Sequence, residues 1–323
     1  MLSAKVIMSV IKKIISVLVL VSCTFILNGQ QVPFNPISYK IFIPSLLNPA
    51  IAGSKDFFST DIIAGFYAKN YSQVVSGNAR IMKKVPQYVS SYVAPKFTGI
   101  GIGYAVFNEM NSDSRNIGLS AAGSYHLALG KKALSFLSIG IAAKGIYHHY
   151  DGDSDLNIPV KDFYIPGLDA GLYFYNPSFY AGISATNILG RPVDPDTLNN
   201  YIIPISRQYF FLAGFKFVVS RPLKLVLEPS VILMTDDTLS LDIKETIKPA
   251  LRLYAGDFCL GTYFNDLDKI SFFFEFRYPR FYIGTFFELP KDTPFYKKSL
   301  TAELVLGFNL SSNSSGYTDR SRW

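Results

Sequence analysis

The stretch "GLSAAGSYHLAL", residues 118–129, alternates along its whole length. Leu119, Ala121, Gly123, Tyr125, Leu127 and Leu129 oppose Ser120, Ala122, Ser124, His126 and Ala128. Successive side chains of a strand point to opposite faces, so this reads as a strand with one apolar and one small, mixed face. "TAELVLGFNL" (301–310) repeats the pattern, with Ala302, Leu304, Leu306, Phe308 and Leu310 against Thr301, Glu303, Val305, Gly307 and Asn309. Two environments ask for such strands: the wall of a soluble sandwich or jelly roll, and the wall of a membrane barrel with lipid outside and a polar lumen.

Composition separates them. Only 17% of residues are charged, while 27 Phe and 21 Tyr accompany a single Trp, and the mean hydropathy is +0.21. A sandwich of 323 residues needs charge on its outer faces, and this chain has too little of it. Aromatic and β-branched residues favour strands. No segment after residue 55 has helical periodicity or a run of about 18 apolar residues, so a spanning helix is not on offer. In hydrocarbon every backbone N–H and C=O must be paired, which leaves a closed barrel.

Period-2 windows number about fourteen: 57–69, 85–94, 97–107, 115–129, 133–149, 167–175, 178–187, 206–219, 222–235, 239–255, 257–265, 269–277, 280–288 and 299–310. Between them, short links such as "PK" (95–96), "GKK" (130–132), "NP" (176–177), "SRP" (220–222), "GD" (256–257) and "YPR" (278–280) alternate with long ones. The long ones include "NEMNSDSR" (108–115), "YDGDSDLNIPVKDFYIP" (150–166), "ILGRPVDPDTLNNYIIPIS" (188–206) and "ELPKDTPFYKK" (288–298). This register puts every short turn on the periplasmic side and every long loop outside, the asymmetry of outer-membrane barrels. The fold class expected is all-β: a single antiparallel transmembrane β-barrel of about 14 strands, with short periplasmic turns and longer extracellular loops.

Residues 1–30 read as a signal peptide: Lys5, Lys12 and Lys13, then "IISVLVLVSCTFIL", then "NGQQ". Cleavage near Gly29 or Gln30 competes with a lipoprotein reading, in which "LVSC" makes Cys23 the first residue. Either way Cys259 is the one cysteine left besides Cys23 itself, and in "FCLGTYF" it reads as packing. Residues 31–55 then form a periplasmic N-terminal segment, 56–310 the barrel and 311–323 a polar tail.

Chemistry is hard to find in this sequence. His126, His148 and His149 have no spacing that suggests a triad with Ser and Asp. "HHYDGDSD" (148–155) imitates a calcium loop through Asp151, Asp153, Asp155 and Asp162, but Leu156 stands where glycine belongs and the closing residue is not Glu. It reads as an acidic outer loop. Lys144, Lys216, Arg252, Glu275 and Arg277 fall in spans and are expected in the lumen or near the interfaces, because the lipid face penalises charge. The net charge of +7 is spread along the sequence with no basic run, and no nucleic-acid partner is indicated. No enzymatic activity, cofactor or metal site is expected.

Two stretches carry a resemblance. "NPAIAGS" (48–54) has an N-P-A-x-A-G pattern, in Asn48, Pro49, Ala50, Ala52 and Gly53. "GLDAGLYFYNPSFYAGISATNIL" (167–189) has a second, through Gly171, Tyr173, Tyr175, Asn176, Phe179, Tyr180, Gly182, Ser184 and Asn187. Together, over about residues 30–310, they resemble the PorP/SprF family of Bacteroidetes outer-membrane proteins associated with type IX secretion. That resemblance implies a barrel in the cell outer membrane working in the export or surface attachment of particular substrates, adhesins for gliding motility among them. It implies contact with outer-membrane lipid, with the translocon or periplasmic components, and with secreted substrate proteins. The alternative is a passive porin or small-solute transporter. For Asn48, Pro49, Ala50, Ala52 and Gly53 the residues suggest docking rather than chemistry: Pro49 biases Asn48 to extended backbone, and the small residues let the segment lie close to the barrel rim or within its mouth.

Overall fold

The computed structural model describes residues 38–310 except 56, 68–69, 83–96, 111–113, 130–134, 152–159, 190–206, 237–245, 267–268, 279 and 291–300. Its strands are β1 (Phe58–Tyr67), β2 (Asn70–Met82), β3 (Phe97–Met110), β4 (Ser114–Ala128), β5 (Phe136–Tyr150), β6 (Lys161–Tyr175), β7 (Phe179–Thr186) and β8 (Gln208–Phe215). The ring continues through β9 (Phe217–Ser220), β10 (Leu225–Asp236), β11 (Ile247–Ala255), β12 (Phe258–Asp266), β13 (Lys269–Arg277), β14 (Phe281–Pro290) and β15 (Thr301–Leu310).

Apart from β8 and β9, successive strands pair antiparallel, and β1 pairs with β15, from Phe58 opposite Leu310 to Phe66 opposite Ala302. The wall is therefore closed. Strands β8 and β9 both lie against β10, with Gly214 opposite Ser230 and Phe217 opposite Leu227 in one register. They are one wall position interrupted at Lys216. The interruption faces the stretch of β10 containing Pro229, which has no N–H to give the ladder. Fifteen assigned strands thus make a fourteen-membered ring.

Alternation sorts the side chains as the sequence predicts. In β4, Ser120, Ser124 and His126 are buried inside while Leu119, Tyr125 and Leu127 point out. The outward set continues over neighbouring strands as Ile102 and Val106, Ile139 and Ile141, Tyr164 and Leu172, then Ile183. A soluble surface does not carry a continuous apolar face of this kind. Lipid covers it. The ring closes at Phe58 and Leu310 on the same end as the turns 176–178, 221–224, 256–257 and 278–280, and that end is the periplasmic one.

Two expectations need correction. β2 pairs directly with β3, from Tyr71 opposite Met110 to Met82 opposite Phe97, and the window expected at 85–94 lies outside the described residues. The second strand is Asn70–Met82 instead. Its alternation is hidden because Val74 points inward to an apolar core and Gln73 points outward. The short connections are also not all periplasmic. At the outer end, Tyr67 to Asn70, Met110 to Ser114 and Asp266 to Lys269 are brief as well, so "NEMNSDSR" is mostly strand.

Depth should decide what a charge costs on this wall. Ile141 and Val160 are both 61% exposed, but Ile141 is near the middle of β5 and Val160 at the outer rim. Ile141→Arg is expected to destabilise the barrel by about 2–4 kcal/mol and Val160→Arg by about 0–1 kcal/mol, measured by reversible denaturant unfolding in lipid vesicles.

Candidate functional site: a chain segment inside the barrel

The segment expected as a periplasmic lead-in runs within the lumen. Its helix α1 (Tyr39–Phe42) and two 3-10 turns, Pro44–Leu46 and Pro49–Ile51, take it from the outer half to the periplasmic mouth, where β1 begins. Apolar side chains make it a core. Tyr39, Ile43 and Leu47 pack with Ile63, Val74, Phe107, Phe210, Tyr282 and Val305. Ile41 joins a second cluster with Val226, Tyr254, Cys259, Tyr263, Phe273 and Phe286. The Phe42 ring stacks on Tyr282 at 6.4 Å and meets Phe273 edge-on at 5.8 Å. Burying one Ile or Leu is worth about 1.5–3 kcal/mol, so several together hold the segment firmly.

The polar contacts follow one plan: wall side chains bind the segment's main chain. Ser184 Oγ donates to Leu47 O at 2.6 Å and Ser138 Oγ to Ala50 O at 2.7 Å. Ala52 O accepts from Ser124 Oγ at 2.5 Å and from His126 Nε2 at 2.8 Å. That bond puts the His126 proton on Nε2 and leaves Nδ1 to accept from Tyr175 OH at 3.0 Å. Arg80 Nε donates to Gly53 O at 2.8 Å, and its guanidinium also reaches Tyr175 OH. Arg252 donates to Ile41 O at 2.9 Å, and Ser38 N donates to Glu303 at 3.0 Å.

Asn48 is the centre of the N-P-A stretch and is 0% exposed. Its backbone is extended, as a residue before proline favours, with φ −139° and ψ 106°. Its Nδ2 donates to Leu172 O at 2.9 Å and Ile183 O at 3.2 Å, and its Oδ1 accepts from Ala50 N at 3.0 Å. Pro49, Ala50 and Ala52 are buried against β4, β5 and β6. Gly53 has φ +69°, and a Cβ there would lie 2.5 Å from Gly101 Cα. The wall opposite lacks side chains where the segment touches it: a Cβ on Gly140 would strike Pro49 and Ala50, and one on Gly171 or Gly182 would strike Asn48.

The remaining sequence expectations fall as follows. Lys144, Lys216, Arg252, Glu275 and Arg277 all face the lumen. Lys144 pairs with Asp169 at 2.5 Å, Arg252 with Glu228 at 2.8 Å and Arg277 with Glu275 at 2.7 Å. His148 points in and approaches Asn116 Oδ1 at 2.5 Å, whereas His149 sits on the outward face between Asp162 at 2.6 Å and Asp151 at 3.1 Å. Asp153 and Asp155 lie outside the described residues, as do the leader and the polar tail. Among the described residues no group of three His, Cys, Asp or Glu is placed to hold a metal ion.

A family model described as type IX secretion system membrane protein PorP/SprF matches residues 34–308. The chain belongs to that family. No curated protein matches it. Among solved structures it is similar to outer membrane protein Omp33 of Acinetobacter baumannii, at 13% identity and a TM-score of 0.42, covering 80% of this chain and 100% of that one. It is also similar to the β domain of the Bordetella autotransporter BrkA, at 8% identity and 0.37, covering 80% and 99%. A third is the NanC porin, at 9% and 0.34, covering 78% and 99%. No functional inference follows from likenesses at these scores. This PorP/SprF chain is an outer-membrane β-barrel of a secretion-related family.

The two stretches that carried the resemblance touch each other. Asn48 binds carbonyls on both arms of the β6–β7 hairpin, Leu172 and Ile183, and Leu47 O is bound by Ser184 of the same hairpin. Gly171 and Gly182 make room for Asn48. Asn176 shapes the turn by accepting from Ser178 N at 2.8 Å and Phe179 N at 2.7 Å. Asn187 takes the left-handed φ of 55° that ends the hairpin, and Tyr180 OH donates to Glu228 at 2.8 Å. Sequence reasoning missed Arg80, Gly101, Ser124, Ser138 and Gly140 as partners of the segment. Glycines inside strands were the available signal, since they mark close approach of another backbone.

Asn48→Ala removes the donors to two buried carbonyls and the acceptor for Ala50 N. A loss of roughly 2–4 kcal/mol is expected, with faster hydrogen exchange at the amides of Ala50, Ile51 and Ala52 and unchanged exchange at Leu119 and Ile141. Gly140→Val is expected to give the same exchange pattern by displacing Pro49 and Ala50.

Proposed function

We propose that this protein is a non-enzymatic, non-conducting outer-membrane partner of type IX secretion that supports export or surface attachment of a few specific substrates. Surface adhesins serving gliding motility are the substrate class this reading names. Its work is recognition of other proteins at the two ends of the barrel, with no bond made or broken. The observation that carries it is the occupied lumen of a chain in this family. Residues 38–54 fill the space a porin leaves to water, with Ile41, Ile43, Leu47 and Ala52 buried in it. Their burial supports this reading over a passive solute pathway through the middle of the barrel.

Two measurements test the reading separately. Surface and secreted proteins of the producing cell are compared with and without this gene; loss of a few large proteins from the surface, with their accumulation in the periplasm, is expected. An unchanged exported set sinks the secretion role. The purified protein in planar bilayers is expected to show no steady conductance, and stable ohmic steps would return the protein to the porin class.

A further inference from the structure

At the periplasmic end of the lumen two carboxylates are held by arginines, while other cations there have no carboxylate partner among the described residues. Near the periplasmic mouth Glu228 is used fully: Arg252 and Tyr180 OH each donate to Oε1 at 2.8 Å, and Tyr254 OH to Oε2 at 3.2 Å. Glu275 is held by Arg277 through two bonds of 2.7 and 3.0 Å. Lys216 stands among these groups, with Glu228, Arg252, Arg277 and Lys55 as its charged neighbours, and has no ion pair or side-chain hydrogen bond among the described residues. Lys55, exposed just before β1, lies over the Phe57 ring at 5.6 Å and is near Asp61, whose Oδ1 accepts from Tyr282 OH at 2.6 Å. Arg80 on β2 donates to Gly53 O and Tyr175 OH and reaches no carboxylate among the described residues.

Three cations are therefore left without an acidic partner within ion-pair distance at one end of the lumen, and their neighbours do not balance them. The described short turns at that end add Arg221, Lys224 and Arg280 against Asp257. The charge that is scattered in sequence is gathered by the fold.

We propose that the periplasmic mouth is a docking site for an acidic chain segment of a periplasmic or exported protein. Charge complementarity names the chemistry: carboxylates presented by Asp or Glu. Position names the kind of ligand. Arg80 and Lys216 lie on β2 and at the β8–β9 break, separated by the width of the ring, so one small anion cannot meet both, whereas an extended chain laid across the mouth can. Both also point into the lumen, where the wall keeps out the phosphates of the surrounding lipid. The site does not depend on the secretion role and would stand if that role failed.

The test uses the full-length protein in detergent micelles or nanodiscs. The probe is a fluorescein-labelled peptide of glutamates, about ten residues so that it spans the mouth; a glutamine peptide serves as control. Saturable binding of the glutamate peptide is expected, weaker in high salt and reduced about tenfold in Lys55→Gln/Lys216→Gln. Lys55→Arg/Lys216→Arg and the outer-rim control Arg115→Gln are expected to bind as the native protein does. Carbodiimide coupling on the native chain gives a second reading that needs no variant to fold: the peptide should attach at Lys55 and Lys216. Equal binding by the Gln pair, coupling confined to lysines of the outer connections, or competition by anionic phospholipid vesicles in place of the peptide would each overturn the proposal.

Discussion

A ring of fourteen strands encloses more space than inward side chains can fill. Eight strands close on side chains alone, and sixteen to eighteen leave an aqueous channel. This barrel lies between, and it fills the difference with its own backbone. The segment from Ser38 to Ser54 turns the lumen from a surface into a core, with Tyr39, Ile43 and Leu47 touching strands from opposite sides of the ring. That requirement explains inward residues that a water-filled barrel would not choose. Ile63, Val74, Phe107 and Val305 are apolar and face the lumen because they meet the segment, not solvent.

The manner of binding follows from what the wall can offer. A segment without regular partners has carbonyls that cost free energy if buried unpaired, and no strand edge is free to satisfy them because the ring is closed. Short wall hydroxyls supply the bonds instead, from Ser124, Ser138 and Ser184, with His126, Arg80 and Arg252 reaching farther. Recognition of main chain rather than side chain explains why the N-P-A stretch is small and rigid. Ala50, Ala52 and Gly53 are there to let the wall come close, and Asn48 alone acts through its side chain. Glycines at 101, 140, 171 and 182 do the same from the other side.

How legible this was depends on which face of a strand one reads. In β4 the inner positions are Ser120, Ser124 and His126 and the outer ones Leu119, Tyr125 and Leu127, so alternation announces both strand and membrane. In β2 the inward Val74 and outward Gln73 blur that contrast, and alternation alone does not announce the strand. The plug is a harder case. Its two halves are visible, one as N-P-A-x-A-G and one as the 171–187 hairpin, but nothing local says that Asn48 reaches Leu172 O, a contact 124 residues apart in sequence. Only the closed ring brings them together. Cations dispersed along a sequence can also gather in space when successive turns return to one end.

A plug held this way resists opening. Opening it would expose the apolar faces of two clusters and strip hydrogen bonds from five carbonyls, those of Ile41, Leu47, Ala50, Ala52 and Gly53. Each carbonyl is worth about 0.5–1.5 kcal/mol and each large apolar side chain about 1.5–3 kcal/mol, against the conformational entropy of ordering the segment. That weighs against traffic through the centre of the barrel and for work at its two ends. At the periplasmic mouth paired and unpaired cations stand side by side. Lys144 finds Asp169, Arg252 finds Glu228 and Arg277 finds Glu275, because an unpaired charge beside a low-dielectric wall is costly. Among the described residues Lys216 has no such ion pair, and on the docking proposal a carboxylate of another protein supplies it.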